Sequence, residues 1–201
     1  YAAAVSRTLR LVLYSTLLAL AAVGVVVGAL FLLRPARALA GTALNQPVEV
    51  AGLQLVDHTG ATVDLAADFR GDVTLVFFGY TRCPDVCPLT MARLARAYQQ
   101  LDRPDGLRVV MVTVDPGHDT PEVLGDYVRR FDPDFVGLTG SNSQVAEAAR
   151  TFFVGFAGNA PAVSHTDTVA VLDREGRMRY LYGQEAVLKI EEDLPGLLRT
   201  L

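Results

Sequence analysis

Val73-Thr-Leu-Val-Phe-Phe-Gly-Tyr-Thr-Arg-Cys83-Pro-Asp-Val-Cys87-Pro88 is the stretch on which the fold turns. Its first six residues form a short apolar run rich in β-formers and bounded by turn residues, as a strand buried on both faces requires. Pro88 suits the first turn of a helix, where a missing N–H removes no intrahelical bond. The chain therefore leaves a central strand and enters a helix within one short loop. Both of its cysteines, Cys83 and Cys87, fall in that passage.

Outward from this stretch, β and helical patterns alternate. Arg108–Val114 is a second apolar, β-rich run, and Phe135–Leu138, Thr168–Leu172 and Met178–Tyr182 read as further strands. The last two flank Asp173-Arg-Glu-Gly176, a hairpin turn. Helices are predicted from Pro88 to about Leu101, with Leu94, Tyr98 and Leu101 on one face, from the capping pair Thr120-Pro121, and from Ser143 to about Phe153. A last helix near Glu185–Asp193 is expected to be interrupted by Pro195-Gly196. This order predicts a layered α/β domain with a mixed sheet.

Upstream the composition changes. The 201 residues are 51% hydrophobic with a mean hydropathy of +0.29, and the excess lies in Leu11–Leu33, 23 residues without a charge. As a helix that run is about 35 Å long, enough to cross a bilayer core of about 30 Å. Residues 11–33 are therefore expected to be a membrane anchor, 34–47 a tether and 48–201 the folded domain. Ala38-Leu39-Ala40 before Gly41 also spells a secretory cleavage site, but the run exceeds a signal core of about 7–15 residues, and Arg34 and Arg37 suit a stop. Arg7 and Arg10 balance Arg34 and Arg37, so basic residues do not orient the span. Gly24-Val-Val-Val-Gly28 is a small-xxx-small pattern through which a second membrane helix can approach.

All 22 acidic residues lie beyond residue 40, where they outnumber the bases. So acidic a domain is not expected to bind nucleic acid, which requires clustered Lys and Arg against phosphate.

The cysteines carry the chemistry. The carboxyl end of a strand in an open α/β sheet is where ligands bind, and a helix N-terminus beside Cys87 is expected to favour its thiolate. Two thiolates on one turn can chelate a soft metal or close into a disulfide. A purely structural bridge is disfavoured, because so small a loop yields only about 2 kcal/mol in the chain-entropy model. Metal binding and dithiol redox both stay open on the cysteines alone. Of the three histidines, His58 reads as a turn residue and His118 as an exposed loop residue. His165 precedes the strand Thr168–Leu172, from which it could reach the cysteine pair. Two thiolates and an imidazole would suit copper.

Gly79-Tyr-Thr-Arg-Cys83-Pro-Asp-Val-Cys87-Pro, Val114-Asp-Pro-Gly-His-Asp119-Thr-Pro121, Ser164-His165 and Asp173-Arg-Glu-Gly176 occur in that order, and together they resemble the SCO/SenC family over about residues 48–200. The resemblance implies a thioredoxin-like fold behind a retained N-terminal transmembrane helix. Residues 1–10 would be cytoplasmic, with the domain in the periplasm or another extracytoplasmic space. It implies that Cys83, Cys87 and His165 bind copper, Cu(I) or Cu(II), for assembly of the dinuclear copper centre in cytochrome c oxidase subunit II or for another copper oxidase. Many members have Asp immediately before the histidine, in a longer segment containing Tyr. Here Ser164 holds that place, which removes an acceptor that would orient the imidazole. Asp167, two residues beyond, shares the histidine's face on an extended strand.

A second function class uses the same cysteines without His165. A thiol–disulfide oxidoreductase could reduce the cysteines of the copper-receiving partner. A third, an assembly subunit docked beside a membrane complex, would draw on Gly24 and Gly28.

Overall fold

The computed structural model describes residues 7–32, 38–157, 164–165 and 167–201. They belong to two units, one within Tyr1–Ala38 and one spanning Leu39–Leu201. In the first, Arg7–Leu32 is helix α1, and its segment Leu9–Ala29 is long and apolar enough to cross a membrane. Ser15 and Thr16 return their hydroxyls to the Val12 carbonyl at 2.9 and 3.1 Å, so neither presents an unpaired donor to a hydrocarbon surround. Gly24 and Gly28 leave open space where a Cβ would stand. The helix is a candidate membrane anchor.

The second unit is built on an eight-stranded mixed sheet. In chain order its strands are β1 (Thr42–Glu49), β2 (Gln54–Asp57), β3 (Thr62–Asp64), β4 (Val73–Gly79), β5 (Leu107–Thr113), β6 (Val136–Thr139), β9 (Thr168–Leu172) and β10 (Arg177–Gly183). They lie in the order β1-β10-β9-β4-β5-β6-β2-β3. β4, β5 and β6 run parallel, whereas β9 pairs antiparallel with β4 and with β10. Every residue of β4 is buried, as its unbroken apolar run predicts. The Asp173–Gly176 turn joins β9 to β10 as expected. Gly176 is required there by its φ of 80° and because a Cβ would stand 2.8 Å from the Ala66 carbonyl oxygen.

Three of the expected helices form, two of them with side-chain caps. α2 spans Val86–Gln100, starting two residues before Pro88. α3 is Pro121–Val128, capped by Thr120 and led by Pro121. α4 is Asn142–Thr151, with Ser141 and Gln144 forming a reciprocal capping box. The C-terminal expectation needs correction. The break falls between α5 (Gln184–Val187) and α6 (Ile190–Thr200), and Pro195 lies inside α6. Ile190, Leu194 and Leu197 on α6 are fully buried, and that packing outweighs the bond lost at the proline.

The boundary at residue 48 is also too late. Residues 42–47 of the expected tether belong to edge strand β1, which pairs antiparallel with β10. Asn45-Gln46-Pro47 reads as loop because proline donates nothing to a ladder, and the register shifts between Ala43 and Val48 at that place. Leu44 and Val48 nevertheless pack against the core. Short β2 and β3, bracketing the Asp57-His58-Thr59-Gly60 turn, had no legible alternation. A second, two-stranded ladder pairs β7 (Phe156–Ala157) with β8 (Ser164–His165).

Candidate metal centre

β4 ends at Gly79 and α2 begins at Val86, so the loop between them stands at the carboxyl end of the sheet's central strand. Gly79 gives the passage its closeness. A Cβ there would stand 2.7 Å from the Phe77 ring and 3.1 Å from the Cys87 sulfur. Cys87 is the second residue of α2 and fully buried. Cys83 is half-buried in the loop, and both are free thiols. The backbone N–H of Cys87 donates to the Cys83 sulfur at 3.5 Å, so the pair shares one turn, as its spacing requires.

The two sulfurs are electrostatically unlike, in the opposite sense to the sequence expectation. Burial works against the Cys83 thiolate, but the backbone N–H groups of Asp85 and Cys87, the Cys87 thiol and the Val86 N–H together outweigh it and hold its pKa below the ordinary thiol value. Burial pushes the Cys87 thiol far up, and its bond with Cys83 and the nearby charge of Asp167 add to that. The helix N-terminus thus serves Cys83, because the free N–H groups of α2 point back along the loop and Cys87's own N–H is one of them. Tyr80, beside the pair, has its phenol pKa raised by burial and then by the negative charge of both cysteines.

A second motif holds the loop in place. Asp119 is fully buried. It accepts from the Thr81 N–H at 3.0 Å, the Thr81 hydroxyl at 2.5 Å and the Thr113 hydroxyl at 2.6 Å. Arg82 pairs with Asp115 at 2.7 Å. The Asp115–Pro121 stretch therefore fastens the two residues that precede Cys83 and the end of β5. Sequence reasoning recognised this motif and gave Asp115, Asp119 and Thr81 no role. Its two carboxylates beside a strand end were the only available signal.

His165 lies in β8, where its backbone pairs with Phe156; its side chain lies outside the described residues. Two residues on, Asp167 accepts from the Thr90 hydroxyl of α2 at 3.4 Å, and its charge reaches Cys87. Asp167 therefore lies against the N-terminal part of the helix that carries Cys87. The other histidines have different surroundings. His58 accepts from the Gly137 N–H through Nδ1 at 3.2 Å, and His118 is exposed in the turn before α3. Among the described side chains no three His, Cys, Asp or Glu residues converge on a metal position. A cleft of about 280 Å³ opens beside the loop, with Asp85, Val86, Leu89, Arg93, Asp167 and Leu188 in its walls.

The SCO1/SenC family model matches residues 42–195, which is most of the chain. The chain belongs to the SCO1/SenC family. It is 36% identical over 139 residues to the human mitochondrial protein SCO2 homolog, a match covering 65% of this chain and 52% of that protein. The chain thus spans about half the length of the mammalian relatives it matches. The apo Sco1 protein of Thermus thermophilus is similar in structure, with TM-score 0.72 and 38% identity over 83% of this chain and 99% of that one. ScoI of Arabidopsis thaliana, solved with copper bound, gives TM-score 0.69 and 27% identity over 76% and 99% of the two chains. The thioredoxin-like SCO fold, a mixed sheet flanked by helices, is the fold of residues Leu39–Leu201.

Proposed function

We propose that this SCO1/SenC chain is a membrane-anchored copper chaperone that takes copper as cargo on Cys83, Cys87 and His165. It delivers that copper to the dinuclear centre of cytochrome c oxidase subunit II, with α1 in the membrane and the domain on its extracytoplasmic side. The observation that carries this reading is a cysteine pair not joined by a disulfide, one sulfur poised as a thiolate and one sealed in the core, on a loop fastened by Asp119 in a member of a family solved with copper bound. Two sulfurs suit Cu(I), and imidazole accepts both oxidation states. Redox state gates loading, since a Cys83–Cys87 disulfide has no thiolate to offer. Half-buried Cys83 is the sulfur that an incoming ligand from the acceptor meets first. Buried Cys87 retains the ion until the exchange is complete, so that copper passes between ligands without release into water.

Copper quantified in the reduced full chain tests the reading. About one ion per chain is expected, and Cys83→Ser or Cys87→Ser should reduce it to background. Undiminished binding by either variant would rule out the site.

A second reading draws on the contrast between the sulfurs. A low-pKa, accessible thiol beside a buried resolving thiol is also what a dithiol reductant needs. Cells carrying His165→Ala separate the two. Failed oxidase assembly favours copper delivery, and normal assembly favours a thiol–disulfide oxidoreductase acting on the partner's cysteines.

A further inference from the structure

The cleft beside the cysteine loop carries two charges that the fold leaves unused. Asp85, Leu89 and Arg93 follow one another at a spacing of four, so they line one face of α2 from its cap to its third turn. Asp85 holds the cap position, yet its side chain makes no capping bond to the helix. Arg93 is half-buried and makes no hydrogen bond or ion pair among the described residues. The other half-buried arginines described are all engaged. Arg174 donates to the Leu198 carbonyl at 3.2 Å, and Arg177 and Arg179 pair with Asp173 at 2.9 and 3.1 Å. A guanidinium partly withdrawn from water calls for an anion, and none is supplied from within.

Between these charges the cleft is apolar. Leu89 is 60% exposed, and Leu188, which follows α5 in the same cleft, is 50% exposed. Single exposed leucines need no explanation, but two in one cleft between opposite unpaired charges make a contact surface. The charges also order its occupant. At 1.5 Å per residue Asp85 and Arg93 stand about 12 Å apart along α2, a distance that extended chain covers in about four residues. The complementary segment has a basic side chain against Asp85, an apolar one on the leucines and a carboxylate on Arg93. Asp167, the cleft's other carboxylate, already takes the Thr90 hydroxyl at 3.4 Å.

Asp85 lies between Cys83 and Cys87 in sequence, so an occupant of the cleft lies against the loop that carries both sulfurs. The protein with reason to be there is the one that receives the metal. We propose that this cleft docks the copper-receiving protein, through a short extended segment carrying a base, an apolar side chain and a carboxylate over about four residues. So small a contact, set against about 1,600 Å² for a stable complex, suits a carrier that must leave again. The inference rests on the copper-delivery reading and names where the partner sits.

The test is Cu(I) transfer from the loaded, detergent-solubilised full chain to the soluble copper-site domain of cytochrome c oxidase subunit II from the same organism. Leu89→Ser and Arg93→Gln should each lower the second-order transfer rate roughly tenfold, the scale of a central contact at an interface. Saturating acceptor should restore the parent's rate, because the exchange of copper itself is untouched. Cu(I) affinity in chelator competition and the melting temperature should stay at the parent's values. Arg70→Gln, an exposed arginine just before β4 and outside the cleft, should transfer as the parent does. Parent-like rates in both cleft variants, or the same slowing in Arg70→Gln, would overturn the proposal and leave the copper reading intact. A loss of Cu(I) affinity matching the loss of rate would also overturn it, since the two residues would then support the metal site itself. So would a lower melting temperature or a changed mass in solution, which would mean that the chain itself or a second copy fills the cleft. If the parent takes up no Cu(I), or passes none to that domain, the delivery reading fails first and this proposal fails with it.

Discussion

The cysteine loop and the segment that carries His165 are held in very different ways. Residues 80–87 are fastened from three sides. Asp119 takes two bonds from Thr81, Arg82 pairs with Asp115, and Cys87 is built into α2. His165 sits on a ladder of two residue pairs, with Asp167 bound to Thr90 just beyond it. The cysteine loop is therefore set in place by bonds made on folding. The proposed imidazole ligand depends on that short ladder, with Ser164 before it in the same strand. Such a division suits a carrier. On the proposed ligand set, two preset sulfurs would hold Cu(I), and the third ligand would govern the oxidised ion.

Breaking the fastening should have the largest effect on the thiol half. Asp119→Ala leaves the Thr81 N–H and two hydroxyls without their buried acceptor, and should cost about 3 kcal/mol in urea unfolding of the metal-free protein. It should also weaken Cu(I), because Cys83 is no longer presented. Stability and affinity equal to the parent's would mean that the loop is held by other contacts.

For the proposed imidazole ligand, His165→Ala should weaken Cu(II) binding more than Cu(I) binding, because two sulfurs alone can retain Cu(I). Equal losses in the two oxidation states would abolish the proposed division of labour. The finest distinction lies within the thiol half. Since the Cys83 pKa is lowered, its alkylation rate should rise with pH and level off below the pH at which a free cysteine does. Cys87, shifted the other way and buried, should stay unreactive over the same range. Reaction of both thiols at one rate would remove the asymmetry.

Much of this centre could be read from local pattern. Val73–Phe78 announces a buried strand because it is a short apolar run rich in β-formers, and Pro88 announces the helix, so the position of Cys83 and Cys87 at a strand end follows directly. His165 is proposed beside them only through the ordered motifs of the family, because nothing local distinguishes a ligand histidine from a structural one. The roles of Asp119 and Thr81 were invisible for a different reason. Their partnership spans 38 residues and arises only when β4 and β5 lie side by side. The polarity of the two thiols was misread because a helix N-terminus acts through the direction of its N–H groups, and these point at Cys83 behind the helix start. β1 was missed because Asn45-Gln46-Pro47 has loop chemistry, while its pairing is dictated by the exposed edge of β10.

The central claim is that two sulfurs and one imidazole hold the copper. X-ray absorption at the copper edge, on the reduced, copper-loaded full chain and on His165→Ala, tests it most directly. The parent should show two sulfur ligands and one nitrogen ligand per copper, and the variant should lose the nitrogen while keeping both sulfurs. A single sulfur in the parent, or a nitrogen that survives in His165→Ala, would contradict the account.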